Sequence, residues 1–173
     1  MRTWSSVRQG VAATALLVLT SAAITSLTST PAYANLCPLT QGFWKNHPNA
    51  WVDENGVPIT SLTIGGQTYT QMQLLTILET PPSGGDASLI LAHQLIAAEL
   101  NVKTGSVFSG NTIDSTITAA DTLVGTACGT SDRLPSCFVQ SSSTLGQQMT
   151  NAEATLDAFN SGQLTPVCIP RGT

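Results

Sequence analysis

Charge is scarce in this chain. Its 173 residues hold six Lys and Arg, ten Asp and Glu, and two His. So few bases, none of them clustered, exclude the cationic surfaces that nucleic acid and anionic lipid require. No G-x-S-x-G, no H-E-x-x-H and no Gly-rich phosphate loop occurs, so the common hydrolase and nucleotide templates have nowhere to sit. A glycosidase needs two carboxylates at a set separation, and ten scattered acids nominate no pair. The cysteines lack the paired C-x-x-C spacing of structural zinc. Internal repeats and a second long apolar run are also missing.

The first thing present is a leader. Arg2 and Arg8 give a weakly positive start, "VAATALLVL" is the apolar heart, and "PAYA" sets small residues at Ala32 and Ala34. That pattern predicts a secretory signal peptide over residues 1–34, cleaved after Ala34. The threonines and serines within the apolar run, and the cleavage-like site after it, favour removal over retention as an anchor. Bulky Leu36 argues against lipid attachment at Cys37. The remaining 139 residues form a single secreted domain, 35–173, with enough chain to bury a core. Four bases (Lys45, Lys103, Arg133 and Arg171) then face all ten acids. Neutral Thr, Ser, Gln and Asn supply the solubility that charge does not.

Four cysteines in an exported chain read as two disulfides, for which three pairings exist. The favoured pairing is Cys37 with Cys168, joining the two ends, and Cys128 with Cys137, closing a short loop around "GTSDRLPS".

Periodicity and breakers divide the domain. Thr40 caps a short helix over 41–47, stopped by Pro48. "SLTIGGQTYT" alternates Leu62, Ile64 and Tyr69 about Gly65-Gly66, which predicts a hairpin with a two-residue turn. A hairpin is unstable alone and is expected to pack near the N-terminal motif. Thr70 caps a helix over 71–79. Asp86 caps the most apolar segment, over 87–100, where Leu89, Ile90, Leu91, Leu95, Ile96 and Leu100 occupy nearly every face. Residues 101–111 read as loop. Two further helices follow, one carrying Ile113, Ile117, Ala120 and Val124, the other Leu145, Met149, Ala152, Leu156 and Phe159. The expected fold is mainly α: a small helical bundle around one buried central helix, with one appended β-hairpin, braced by two disulfides.

The chemistry concentrates in "CPLTQGFWKNHPNAW", residues 37–51. Phe43, Trp44, Trp51 and Tyr69 suit either a flat platform for a sugar or a partner protein, or a plug for the open end of the bundle. The bulk of Trp44 favours the plug, with Lys45 and Asn46 facing solvent. The two histidines, His47 and His93, also have two readings. Together with Glu99, Asp53 or Glu54 they would hold a metal or share a proton. In the favoured reading they are structural: His93, among leucines, bonds to backbone or to an amide such as Gln94 or Asn46, and His47 terminates the first helix.

Three stretches resemble one family. "CPLTQGFWKNHPNAW", "SLTIGGQTYTQMQLLTIL" and "LAHQLIAAELNV" are similar to an uncharacterised family of secreted bacterial proteins. Its mature regions begin with Cys, then T-Q-G, Phe or Tyr, and W-K-N-H-P. The resemblance implies export and a shared fold, and it implies no activity.

The expected function is therefore that of a secreted, disulfide-stabilised binding or structural domain outside the cell. It would act as a monomer on an extracellular protein or glycan, without cofactor, metal or nucleic acid, and would meet a membrane only through its signal peptide. Trp44, Lys45, Asn46, His47, Trp51 and His93 are its candidate binding residues. A small extracellular hydrolase or metal-binding protein using His47 and His93 is the alternative.

Overall fold

A computed structural model describes residues 36–106, 112–129, 132–165 and 168. The expected signal peptide lies outside the described residues. The described chain is mainly helical, with one two-stranded antiparallel hairpin and two disulfides.

Helix α1 (Gln41–Asn46) begins at Thr40, whose Oγ1 accepts the Phe43 N–H at 3.3 Å. It ends at His47 because Pro48 follows. The residue before a proline is pushed out of the helical region, and His47 sits at φ −128° and ψ 61°. A single 3-10 turn, Pro48–Ala50, then leads to Trp51.

Strands β1 (Ser61–Ile64) and β2 (Gln67–Thr70) pair Leu62 with Tyr69 and Ile64 with Gln67. Leu62, Ile64 and Tyr69 point inward, while Thr63 and Thr68 stay exposed. Gly65 and Gly66 turn the chain at φ +60° and +72°, the left-handed region a two-residue hairpin turn demands. Thr70 ends β2 and also forms a capping box with Gln73 at the start of α2 (Gln71–Glu79). "TPP" stops α2, since proline cannot donate to the helix.

Helix α3 (Ala87–Lys103) starts where Asp86 accepts the Leu89 N–H at 3.1 Å. It runs three residues beyond the expected end and so takes Asn101 into its last turn. Its burial extends round nearly every face, and it packs against α1, α2, β1, α4 and α5. Helices α4 (Thr112–Cys128) and α5 (Thr144–Asn160) cover it and pack on each other. The core holds Trp44, Trp51, Tyr69 and Phe159 among buried leucines and isoleucines.

Both favoured disulfides are formed. Cys37 joins Cys168 across 131 residues, and Cys128 joins Cys137 across nine. The short loop docks on the hairpin. Arg133 lies 4.4 Å from the Tyr69 ring centre and donates through Nη2 to Thr68 O at 2.9 Å, and Leu134 N–H reaches Tyr69 Oη at 3.3 Å. The hairpin tip meets α4, where Gly65 N–H donates to Asp121 Oδ1 at 2.6 Å. The turn is thus seated on α4 and the strand on the cysteine loop, while the residues flanking the hairpin reach the N-terminal motif, Ile59 N–H donating to Trp51 O at 2.8 Å and Gln71 Nε2 to Pro48 O at 2.9 Å.

Candidate functional site

The N-terminal motif divides into residues that hold the fold and residues that face solvent. Trp44 and Trp51 are buried, so neither offers a ring face to a ligand. Their N–H groups act as staples: Trp44 Nε1 donates to Asn101 Oδ1 at 3.2 Å, and Trp51 Nε1 to Trp44 O at 3.0 Å. Tyr69 is buried as well, and only Phe43 of the four aromatics is partly exposed. Asn46 is exposed and folds back on its own helix, Nδ2 donating to Gly42 O at 2.8 Å. His47 stacks on Phe43 at 4.2 Å, with Nδ1 2.9 Å from Phe43 O. It serves as the C-cap of α1.

Lys45 goes elsewhere. His47 lies just past the last helical residue, at non-helical φ and ψ, and its ring stacks back on Phe43. Lys45 borders a hollow of about 500 Å³ between α1, the end of α2, α3 and α5. His93 from α3 and Asp157 from α5 line the same hollow, together with Glu79, Leu78, Pro81 and Pro82. His47 is not among its lining residues, so the structure brings His93 to Lys45 rather than to His47.

His93 is held by one bond, from ring Nε2 to the Ile77 carbonyl at 2.7 Å. Its partner is therefore neither Gln94 nor Asn46. A carbonyl only accepts, so Nε2 carries the proton and Nδ1 is left as a bare acceptor. Among the described residues Nδ1 has no hydrogen-bond partner, nor is it among the polar atoms sealed from water. His93 itself lines the hollow. Burial lowers the His93 pKa below its ordinary value, and the Lys45 charge adds to that. The Ile77 carbonyl and Asp86 oppose it.

Asp157 is positioned from behind by amides. Trp44 Nε1 donates to Asn101, Asn101 Nδ2 to Asn160 Oδ1 at 2.9 Å, Asn160 Nδ2 to Gln94 Oε1 at 2.8 Å, and Gln94 Nε2 to Asp157 Oδ1 at 2.9 Å. Every step donates in the same direction, so each bond polarises the next and the chain terminates on a carboxylate. Asn101 also grips the Leu39 backbone, accepting its N–H and donating to its carbonyl, both at 2.8 Å. The relay ties the chain just after Cys37 to the floor of the hollow.

Sequence reasoning placed Lys45 and His93 among the candidates and named Gln94 only as an amide partner for His93; it missed Asp157, Asn101 and Asn160. One signal was available: Gln94 and Asn101 stand seven residues apart in the most apolar segment, on one helical face.

The carboxylates proposed as histidine partners are dispersed. Asp53 and Glu54 line a separate hollow beside Lys103. Glu99 is half-buried on α3, and burial raises its pKa, with Asp121 adding and Lys103 opposing. Among the described residues, no group of three or more His, Cys, Asp or Glu stands close enough to hold a metal ion.

Fold and site together define a mainly helical, disulfide-braced domain with a polar cleft lined by Lys45, His93 and Asp157. No family model, curated protein or solved structure matches this chain.

Proposed function

We propose that this chain is an exported binding domain whose ligand occupies the hollow between Lys45, His93 and Asp157. One observation carries the reading: a lysine, a histidine held by a backbone carbonyl and a carboxylate residue line one cavity of about 500 Å³, within the size range of small-molecule sites. The two disulfides and the signal-like leader support a place outside the cell. Among the described residues no helix is long and apolar enough to cross a membrane. In this reading α3 is the central helix of a small bundle, and its all-round burial supports that role.

Binding is favoured over hydrolysis by what His93 touches. A general base that activates a side-chain nucleophile hydrogen-bonds to it, and among the described residues no Ser, Thr or Cys side chain bonds to either ring nitrogen of His93. All four cysteines are spent in disulfides.

The test is retention of ligand by purified full-length protein on arrays of glycans and extracellular proteins. Lys45→Ala should abolish retention, while Lys103→Ala, in the other hollow, should leave it intact. Retention unchanged by Lys45→Ala overturns the proposal.

A further inference from the structure

The chemistry lining this hollow narrows its ligand, on the assumption that the hollow is the binding site. We infer that it takes a neutral sugar unit, one hydroxyl donating to His93 Nδ1 and adjacent hydroxyls bridging Lys45 and Asp157.

Hydrogen-bond demand comes first. Lys45 can only donate; His93 Nδ1 and the free Oδ2 of Asp157 can only accept. A ligand meeting all three must donate at two points and accept at a third within one small volume. Vicinal hydroxyls do so, because each is donor and acceptor at once.

Charge comes second. Lys45 is opposed by Asp157 and Glu79 in the same lining, and Glu153 stands close enough to Asp157 to feel its charge. A polyanion would meet these carboxylates, and a compact cation would meet the lysine. A neutral ligand avoids both penalties.

Shape is third. Leu78, Pro81 and Pro82 give the hollow an apolar side, which suits the C–H face of a pyranose ring. The polar groups are also fixed in advance: Ile77 O holds His93, and the amide relay holds Asp157. His93 is the buried member of the three, so a ligand lacking the matching hydroxyl leaves it unpaired, whereas exposed Asp157 discriminates less.

The His93 contact gives the site a pH signature. Lys45 from α1 and Asp86 before α3 lie close enough to act on the His93 charge, and Glu79 at the end of α2 and Asp157 from α5 line the same hollow. Once His93 is protonated, Nδ1 becomes a donor and can no longer receive the sugar hydroxyl, so acid weakens binding.

Titration calorimetry and NMR on the full chain provide the test. The probes are cellotetraose, chitotetraose and maltotetraose, with a tetragalacturonate and a tripeptide as contrasts. One neutral tetramer should bind at pH 7.5 and shift the Lys45 and His93 resonances. Lys45→Met and Asp157→Asn should each lower its affinity at least tenfold while the near-ultraviolet circular dichroism stays native. Wild-type affinity should fall as pH is lowered through the His93 titration, and the residual binding of His93→Gln should not. Preference for the uronate or the tripeptide in the same cleft overturns the sugar assignment and leaves the binding site standing. If no probe of any class shifts the cleft resonances, both fail.

Discussion

Trp44 and Leu39 converge on one atom, Asn101 Oδ1, at 3.2 and 2.8 Å. That shared acceptor explains why an aromatic-rich motif opens the domain. The Trp44 ring fills space against α3 while its N–H locks the entering chain in register. Because Asn101 then donates to Asn160, the same side chain joins the N-terminal segment to the end of α5 and to the relay behind Asp157.

Replacing Asn101 should therefore be severe. Asn101→Leu keeps approximate volume but orphans the Leu39 N–H and carbonyl, the Trp44 N–H and Asn160 Oδ1. Leaving buried polar groups unpaired costs about 1–3 kcal/mol each, partly recovered by relaxation. A loss of about 2–4 kcal/mol in urea denaturation is expected, with an unchanged m-value. A loss under about 1 kcal/mol would show that the network is dispensable.

Much of this fold was legible because its punctuation is local. Thr40, Thr70 and Asp86 each precede an apolar-periodic run and satisfy backbone N–H groups there. Gly65-Gly66 can hardly be other than a turn, and the cysteine pairing follows from bringing the ends together. The relay was not legible because Gln94 offers itself as a partner for His93, while Asn101 and Asn160 look like ordinary surface amides until tertiary packing buries them. Asn101 was also read as loop, since its neighbours Val102 and Lys103 lend the helix no periodic signal. For the site, the sequence named Lys45 and His93, and the favoured reading of His93 as bonded to backbone is met by the Ile77 carbonyl, while the alternative pairing with His47 is not. Lys45 stays within α1 and borders the hollow, whereas His47 leaves the helix ahead of Pro48 and stacks on Phe43.

The two disulfides should differ in weight. Chain-entropy reasoning assigns roughly 5 kcal/mol to a loop of 131 residues and roughly 3 kcal/mol to one of nine. Replacing Cys37 and Cys168 together by serine should thus lower stability more than replacing Cys128 and Cys137. Guanidinium denaturation of the two double variants orders them, and equal losses would show that the short loop's contacts with Tyr69 and Thr68 matter as much as chain closure.

The hairpin turn offers a paired test of packing against conformation. Gly65 and Gly66 both have positive φ, which disfavours alanine by about 1–2 kcal/mol at either site. A Cβ on Gly66 meets nothing within 4 Å, whereas one on Gly65 stands 2.9 Å from the Gly125 nitrogen and from Val124 Cγ1. Gly65→Ala should therefore exceed Gly66→Ala by about 1–3 kcal/mol, the usual penalty for overpacking. Similar melting temperatures for the two variants would mean that the hairpin tip does not rest on α4.

Opposed titrations should give stability a maximum on the acid side of neutrality. His93 has a folded pKa lowered from 6.5, mainly by burial. As pH falls the unfolded chain takes up that proton first, so this contribution is complete above about 6.5 and is lost through the lower folded pKa. Glu99 and Glu153 have pKa values raised from 4.5, again mainly by burial, with Asp121 and Asp157 respectively adding to the effect. There the unfolded chain loses its proton first as pH rises. Their contribution is complete below about 4.5 and is lost as pH climbs through the folded values. Glu99→Gln removes one such penalty, so its melting temperature should exceed that of wild type at pH 7 and match it at pH 4. His93→Gln should flatten the acid-side decline instead. A Glu99→Gln gain of equal size at both pH values would assign the effect to packing rather than to the buried charge.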